Sequence, residues 1–152
     1  MAPALIFDLD GTLVDTVYAH VFAWQRALAE EGMPIDGWRI HRRIGMSGGL
    51  FARAVAREVG RELSPKEVED IQDRHGAIFR ELLPERRPLP GAAELLADLR
   101  ERGIVHGIAT SGRRPEIDRS LEALERVERH GDLFAPVLAG GQALGGALRK
   151  LR

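Results

Sequence analysis

The sequence predicts an α/β protein: a parallel sheet core into which an all-helical segment is inserted. Three observations carry this reading. Two short apolar runs, residues 4–7 and 104–109, have the length and composition of buried strands. The second follows an amphipathic stretch over 92–102, and a helix leading into an apolar strand is the pattern of a parallel sheet. Between the two runs, residues 17–83 carry helical periodicity and no strand signal. The core is therefore assigned to residues 1–16 and 85–152, and the helical insert to 17–84.

The first run ends in Asp8-Leu9-Asp10-Gly11-Thr12-Leu13-Val14-Asp15. Side chains alternate along a strand, so Asp8 and Asp10 share one side at its carboxyl end, where open α/β sheets place ligands. Two carboxylates held together raise each other's pKa unless a cation lies between them. A hard divalent ion with oxygen ligands suits such a pair, Mg²⁺ above all where phosphate is present. Gly11 permits the sharp exit from the strand, and Thr12 adds a hydroxyl.

In the insert, Val17, Val21, Trp24 and Leu28 form the stripe of a helix over 17–31, closed by Gly32. Asp36 is a candidate N-cap for a short helix over 38–44 that carries Arg39, His41, Arg42 and Arg43. Gly45-Met46-Ser47-Gly48-Gly49 reads as a flexible loop without the lysine of a Walker pattern. A helix over 50–59 follows, with Leu50, Ala54, Val55 and Val59 as its stripe. Ser64-Pro65-Lys66-Glu67 is a capping-box start. It opens a helix with Val68, Ile71, His75, Ile78 and Leu82 on one face, where His75 reads as a packed side chain.

The proline-rich segment Glu85-Arg86-Arg87-Pro88-Leu89-Pro90-Gly91 returns the chain to the core. A helix over 92–102 carries Leu95, Leu96 and Leu99. The second strand then ends in Thr110-Ser111-Gly112. A helix over 115–127 and a third strand over 133–139 follow, and Lys150 lies 40 residues past Thr110.

Composition removes several classes of function. The formal net charge is −1 with no basic block, so a nucleic-acid footprint is not indicated. The absence of cysteine excludes disulfides, thiolate metal sites and a cysteine nucleophile. No apolar run reaches membrane-spanning length and no signal-peptide pattern opens the chain, so a cytoplasmic protein is expected.

The stretch Leu5-Ile6-Phe7-Asp8-Leu9-Asp10-Gly11-Thr12-Leu13-Val14-Asp15-Thr16 closely resembles the first motif of the haloacid dehalogenase-like (HAD) hydrolase superfamily. The insert resembles the helical cap of its phosphoglycolate phosphatase and β-phosphoglucomutase-like subfamily. The resemblance implies a HAD-like (Rossmann-like) core and a Mg²⁺-dependent phosphatase acting on a small phosphorylated metabolite through an aspartyl-phosphate. In it Asp8 is the nucleophile, Asp10 the general acid and base, and both serve the metal. Thr110 and Lys150 stabilise the phosphoryl oxygens, with Thr110 preferred to Ser111 for the hydroxyl and Ser111 or Gly112 lending a backbone N–H. Gly11, Thr12, His20, Gly45, Ser111 and Gly112 are implied substrate contacts.

A phosphomutase of the same superfamily and a non-catalytic interaction domain are the alternatives. The family's Pro-x-Pro after the lysine is absent. No later Gly-Asp motif follows, since Gly131-Asp132 precedes the third strand. The core is accordingly expected to be C-terminally incomplete. Asp8's strand then becomes an edge, and a further segment, a second chain or self-association would cover it.

Overall fold

A computed structural model of the chain describes residues 4–127 and 137–138. It divides into two compact units, residues 1–15 with 85–152, and 16–84. The first unit is α/β. Strands β1 (Leu5–Phe7), β2 (His106–Ala109) and β3 (Val137–Leu138) form a parallel sheet in the order β1-β2-β3. Residue Leu5 pairs with His106, Phe7 with Ile108, and Ile108 with Val137.

Two helices of this unit, α5 (Ala92–Glu101) and α6 (Arg114–Val127), share a core with Leu9, Leu13, Val14 and Ile108 through Ala92, Leu96, Ile117 and Leu124. Phe7 packs against that core from β1. At the outer side of the sheet, β1 is the edge strand among the described residues, and Leu5 and Ile6 stay 42% and 41% exposed.

β2 is shorter than the run of 104–109 suggested. Ile104 is held by the turn after α5, its N–H bonding back to the Leu99 carbonyl, with Gly103 at φ 65°. β1 pairing starts only where the Leu5 N–H meets the Val105 carbonyl at 3.0 Å, so Ile104 and Val105 are exposed. Of the expected third strand, Val137 and Leu138 are in place, and 133–136 and 139 lie outside the described residues.

The second unit contains four helices and no strand: α1 (Val17–Glu30), α2 (Gly37–His41), α3 (Gly48–Glu58) and α4 (Pro65–Leu82). One core joins Val21, Trp24 and Leu28 of α1 to Ile40, Phe51, Val55, Val68 and Ile71. A smaller one joins Ala23 and Ala27 to Ile78 and Phe79. The Ser64 hydroxyl accepts from the Glu67 N–H at 3.3 Å, and the Glu67 carboxylate accepts from the Ser64 N–H at 2.8 Å, which completes the capping box.

Three details of this unit differ from the sequence reading. Helix α2 stops at His41, because the Arg43, Ile44 and Met46 N–H groups close three-residue turns. Gly48 and Gly49 are the first turn of α3 and not loop: a Cβ at Gly48 would lie 3.0 Å from Trp24 and from Gln72. Helix α3 therefore starts early and buries Phe51, Ala52, Val55 and Ala56, while Leu50 and Val59 face solvent. Close approach at the glycines sets the helix phase, and that is invisible to periodicity. Leu82 on α4 and Leu95 on α5 are likewise exposed. No described helix is long and apolar enough to cross a membrane.

Candidate active site

The site begins where β1 ends. Leu9 is fully buried, and its carbonyl accepts the N–H groups of Thr12, Leu13 and Val14 at 3.3, 3.0 and 3.1 Å. Gly11, at φ 75°, donates to the Val14 carbonyl at 2.8 Å. The left-handed turn is one that a β-carbon disfavours. Buried Leu13 and Val14 anchor the loop in the core. Its far side is tied to the returning segment, with Leu89 N–H on the Leu13 carbonyl and Asp15 N–H on the Arg87 carbonyl, both at 2.9 Å. Asp8 is thereby left exposed at the strand end, and Asp10 is half-buried.

Parallel pairing of Phe7 with Ile108 brings the end of β2 alongside. Thr110, just past β2 and only 9% exposed, places its hydroxyl 3.4 Å from Asp10 Oδ2. The Gly112 N–H donates to Thr110 Oγ1 at 3.0 Å. Partial removal from water pushes the Asp8 carboxyl above its ordinary range. A hydrogen bond from the Leu9 N–H opposes this, and the charge of Asp10 adds to the rise. The two carboxylates therefore feel each other.

The donor set is what tests a cation here: two carboxylates, Asp8 and Asp10, lie two residues apart just past the end of β1. Mg²⁺ commonly binds through one or two carboxylates, with water and substrate phosphate completing its shell. The pair of Asp8 and Asp10 fits such an ion. Among the described residues no cluster of three or more His, Asp or Glu side chains could hold a metal unaided.

The remaining residues singled out in the sequence fall in three places. Gly11, Thr12 and Ser111 are exposed in the same unit as Asp8, and Gly112 is half-buried there. Its N–H is directed at Thr110, not outward, which the sequence reading did not foresee. His20 and Gly45 lie in the helical unit. His20 Nδ1 meets His75 Nε2 at 3.2 Å and its ring stacks on Phe79, while Gly45 sits at φ 99° in the turn after α2. Lys150 and Gly131-Asp132 lie outside the described residues. Arg39 and Arg43 both pair with Glu58.

Comparison with known proteins finds relatives over most of the chain. The family model described as haloacid dehalogenase-like hydrolase matches residues 5–130. The chain is 35% identical to Protein CbbY, plasmid, of Cupriavidus necator over 93% of its own length and 59% of that protein's. It is 30% identical to Beta-phosphoglucomutase of Bacillus subtilis, covering 91% of this chain and 63% of that one. It is 34% identical to Phosphoglycolate phosphatase of Synechococcus elongatus, covering 90% and 60%. The chain thus spans about three fifths of the length of these curated relatives. Among solved structures, a hydrolase from Pseudomonas syringae superposes with a TM-score of 0.83 at 34% identity, over 97% of this chain and 68% of that one.

Proposed function

The chain belongs to the haloacid dehalogenase-like hydrolase family, and from that premise we propose that it is a Mg²⁺-dependent phosphatase of a small phosphorylated metabolite. The observation that carries the reading is Asp8 exposed at the end of β1 with Asp10 two residues on, beside the Thr110 hydroxyl. Phosphatases among the relatives support the substrate class. A cytoplasmic location belongs to the same reading.

A carboxylate oxygen of Asp8 attacks phosphorus and the bond from phosphorus to the ester oxygen breaks, leaving an aspartyl-phosphate. Asp10 gives its proton to the departing oxygen. It then takes a proton from a water that attacks the acyl phosphate, which releases inorganic phosphate and restores both acids. Asp8 and Asp10 would hold Mg²⁺, which when bound supplies charge neutralisation between phosphate and nucleophile. Lys150 is proposed to neutralise the phosphoryl oxygens.

The test is hydrolysis of p-nitrophenyl phosphate with and without Mg²⁺, for the wild type and Asp8→Asn. Turnover that needs both Mg²⁺ and Asp8 supports the reading. Turnover indifferent to Asp8 overturns it. No turnover leaves the non-catalytic alternative. The 30% identity to a phosphoglucomutase favours a second reading, transfer of the phosphoryl group to a sugar. Conversion of a sugar phosphate without release of phosphate would select it.

A further inference from the structure

The helical unit carries a surface to which the proposed reaction gives no role, and we propose that it docks a short acidic segment of another protein. Such a segment pairs apolar anchors with Asp or Glu side chains. The inference rests on the helical unit alone and not on the phosphatase reading.

Five side chains make the surface. Tyr18 and Phe22 stand one turn apart on α1, 65% and 56% exposed. Trp38, 61% exposed, stands one turn before His41 and Arg42 on α2 and its C-cap. The two pairs meet at the His41 ring, which stacks on Tyr18 with centroids 5.8 Å apart and planes inclined by 22°. A Cβ at Gly37 would lie 3.5 Å from Val21, so α2 runs close along α1.

Apolar side chains exposed singly need no partner, but three large rings in one patch are unusual for a monomer. At about 150–250 Å² for a whole aromatic side chain, these exposures leave roughly 300–450 Å² of ring surface in water. That is comparable with the largest patch on a typical monomer, about 300–600 Å² and often functional. It is about half of the roughly 800 Å² that a standard interface takes from each partner, and so suits a short segment better than a folded domain.

Charge decides the chemistry of that segment. Arg39, Arg42 and Arg43 lie on α2 and the turn after it. Arg39 and Arg43 share the carboxylate of Glu58. Asp36, exposed at the N-cap, is the other acid of this stretch and stands at the opposite end of α2 from Arg42. Arg42 is exposed beside Trp38 and pairs with no carboxylate among the described residues. Trp, Tyr and Arg are the side chains that most often carry binding energy where proteins meet. The arrangement therefore calls for apolar groups over Trp38, Tyr18 and Phe22 and a carboxylate on Arg42.

The test is selection from a phage-displayed library of random short peptides on the full chain, with counter-selection on Trp38→Ala. Enriched peptides are expected to combine Asp or Glu with Leu, Phe or Trp. A synthetic copy of the leading peptide is expected to bind Trp38→Ala and Arg42→Ala at least about tenfold more weakly than wild type. Its affinity should fall as salt rises. Leu50→Ala, an exposed control on α3, should bind it as wild type does. No enrichment, enriched peptides without acids, or equal binding to Trp38→Ala overturns the proposal. Co-sedimentation with phosphatidylglycerol vesicles, abolished by Trp38→Ala, in place of peptide binding overturns it too and assigns the surface to a membrane. The readout is binding alone, so neither result bears on hydrolysis.

Discussion

His20 and His75 meet ring to ring across α1 and α4, Nδ1 to Nε2 at 3.2 Å, between Phe79 on one side and Trp24 on the other. Ring centroids are 3.9 Å apart for His20 and Phe79, and 4.1 Å for His75 and Trp24. One ring of the pair must donate and the other accept, so the contact fixes complementary tautomers. His20→Ala and His75→Ala are expected to be non-additive in denaturant unfolding, with a coupling of about 0.5–1.5 kcal/mol, the net worth of one hydrogen bond. Additive losses would mean that the two rings stabilise the unit separately.

Phe79 is almost fully buried between Ala23, Ala27 and Ile78 and lies under His20. Truncation leaves a cavity that helices α1 and α4 cannot close without moving. Phe79→Ala should lower unfolding free energy by about 3–5 kcal/mol, read from the midpoint of urea unfolding at unchanged m-value.

Gly48 makes the opposite prediction. A methyl group there would press on the Trp24 ring and on Gln72 Oε1, each at 3.0 Å. Glycine inside a helix is normally a site where alanine stabilises. Here Gly48→Ala should destabilise by about 1–3 kcal/mol through overpacking. A gain in melting temperature would contradict the contact.

Glu67 links stability to pH. Hydrogen bonds from Ser64 N–H and Arg61 hold its carboxyl down at about 2 against an ordinary 4.5. A carboxyl depressed in the folded state contributes stability that is complete above its unfolded value. That contribution is lost as pH falls through the folded value. The helical unit should therefore weaken between about pH 4.5 and 2, and Glu67→Gln should remove part of that slope. Because the carboxylate is at the surface, high salt should shrink the effect. An unchanged slope in the variant would place the acid sensitivity elsewhere.

The two carboxylates are expected to separate kinetically. Asp8→Asn should abolish aryl phosphate hydrolysis, whereas Asp10→Asn should lower kcat by roughly 10²–10⁴ and leave some turnover. An Asp10→Asn variant at full rate would remove that residue from proton transfer.

Much of the fold was legible because it is written in local signals. The capping box at Ser64, the turn glycines at 32 and 103 and the apolar run before Asp8 each act over a few residues. What was not legible depends on distant neighbours. The phase of α3 is set by Gly48 against Trp24, 24 positions away in sequence. The start of β2 is set by where β1 begins. At the site, the positions of Asp8 and Thr110 could be read from strand ends, whereas Asp10 takes its place from the turn after β1. The direction of the Gly112 N–H could not be read, since a Thr-Ser-Gly string carries no statement of which oxygen it meets.

The Leu9 carbonyl, by taking three N–H groups at once, works as a hub about which the loop from Thr12 to Val14 is wound. Asp8 precedes that hub and takes its place from strand pairing; Asp10 follows it and takes its place from the winding. The two carboxylates are therefore separately positioned. A one-residue change in the length of 11–13 would swing the second acid away from Thr110 and leave the first where the sheet holds it.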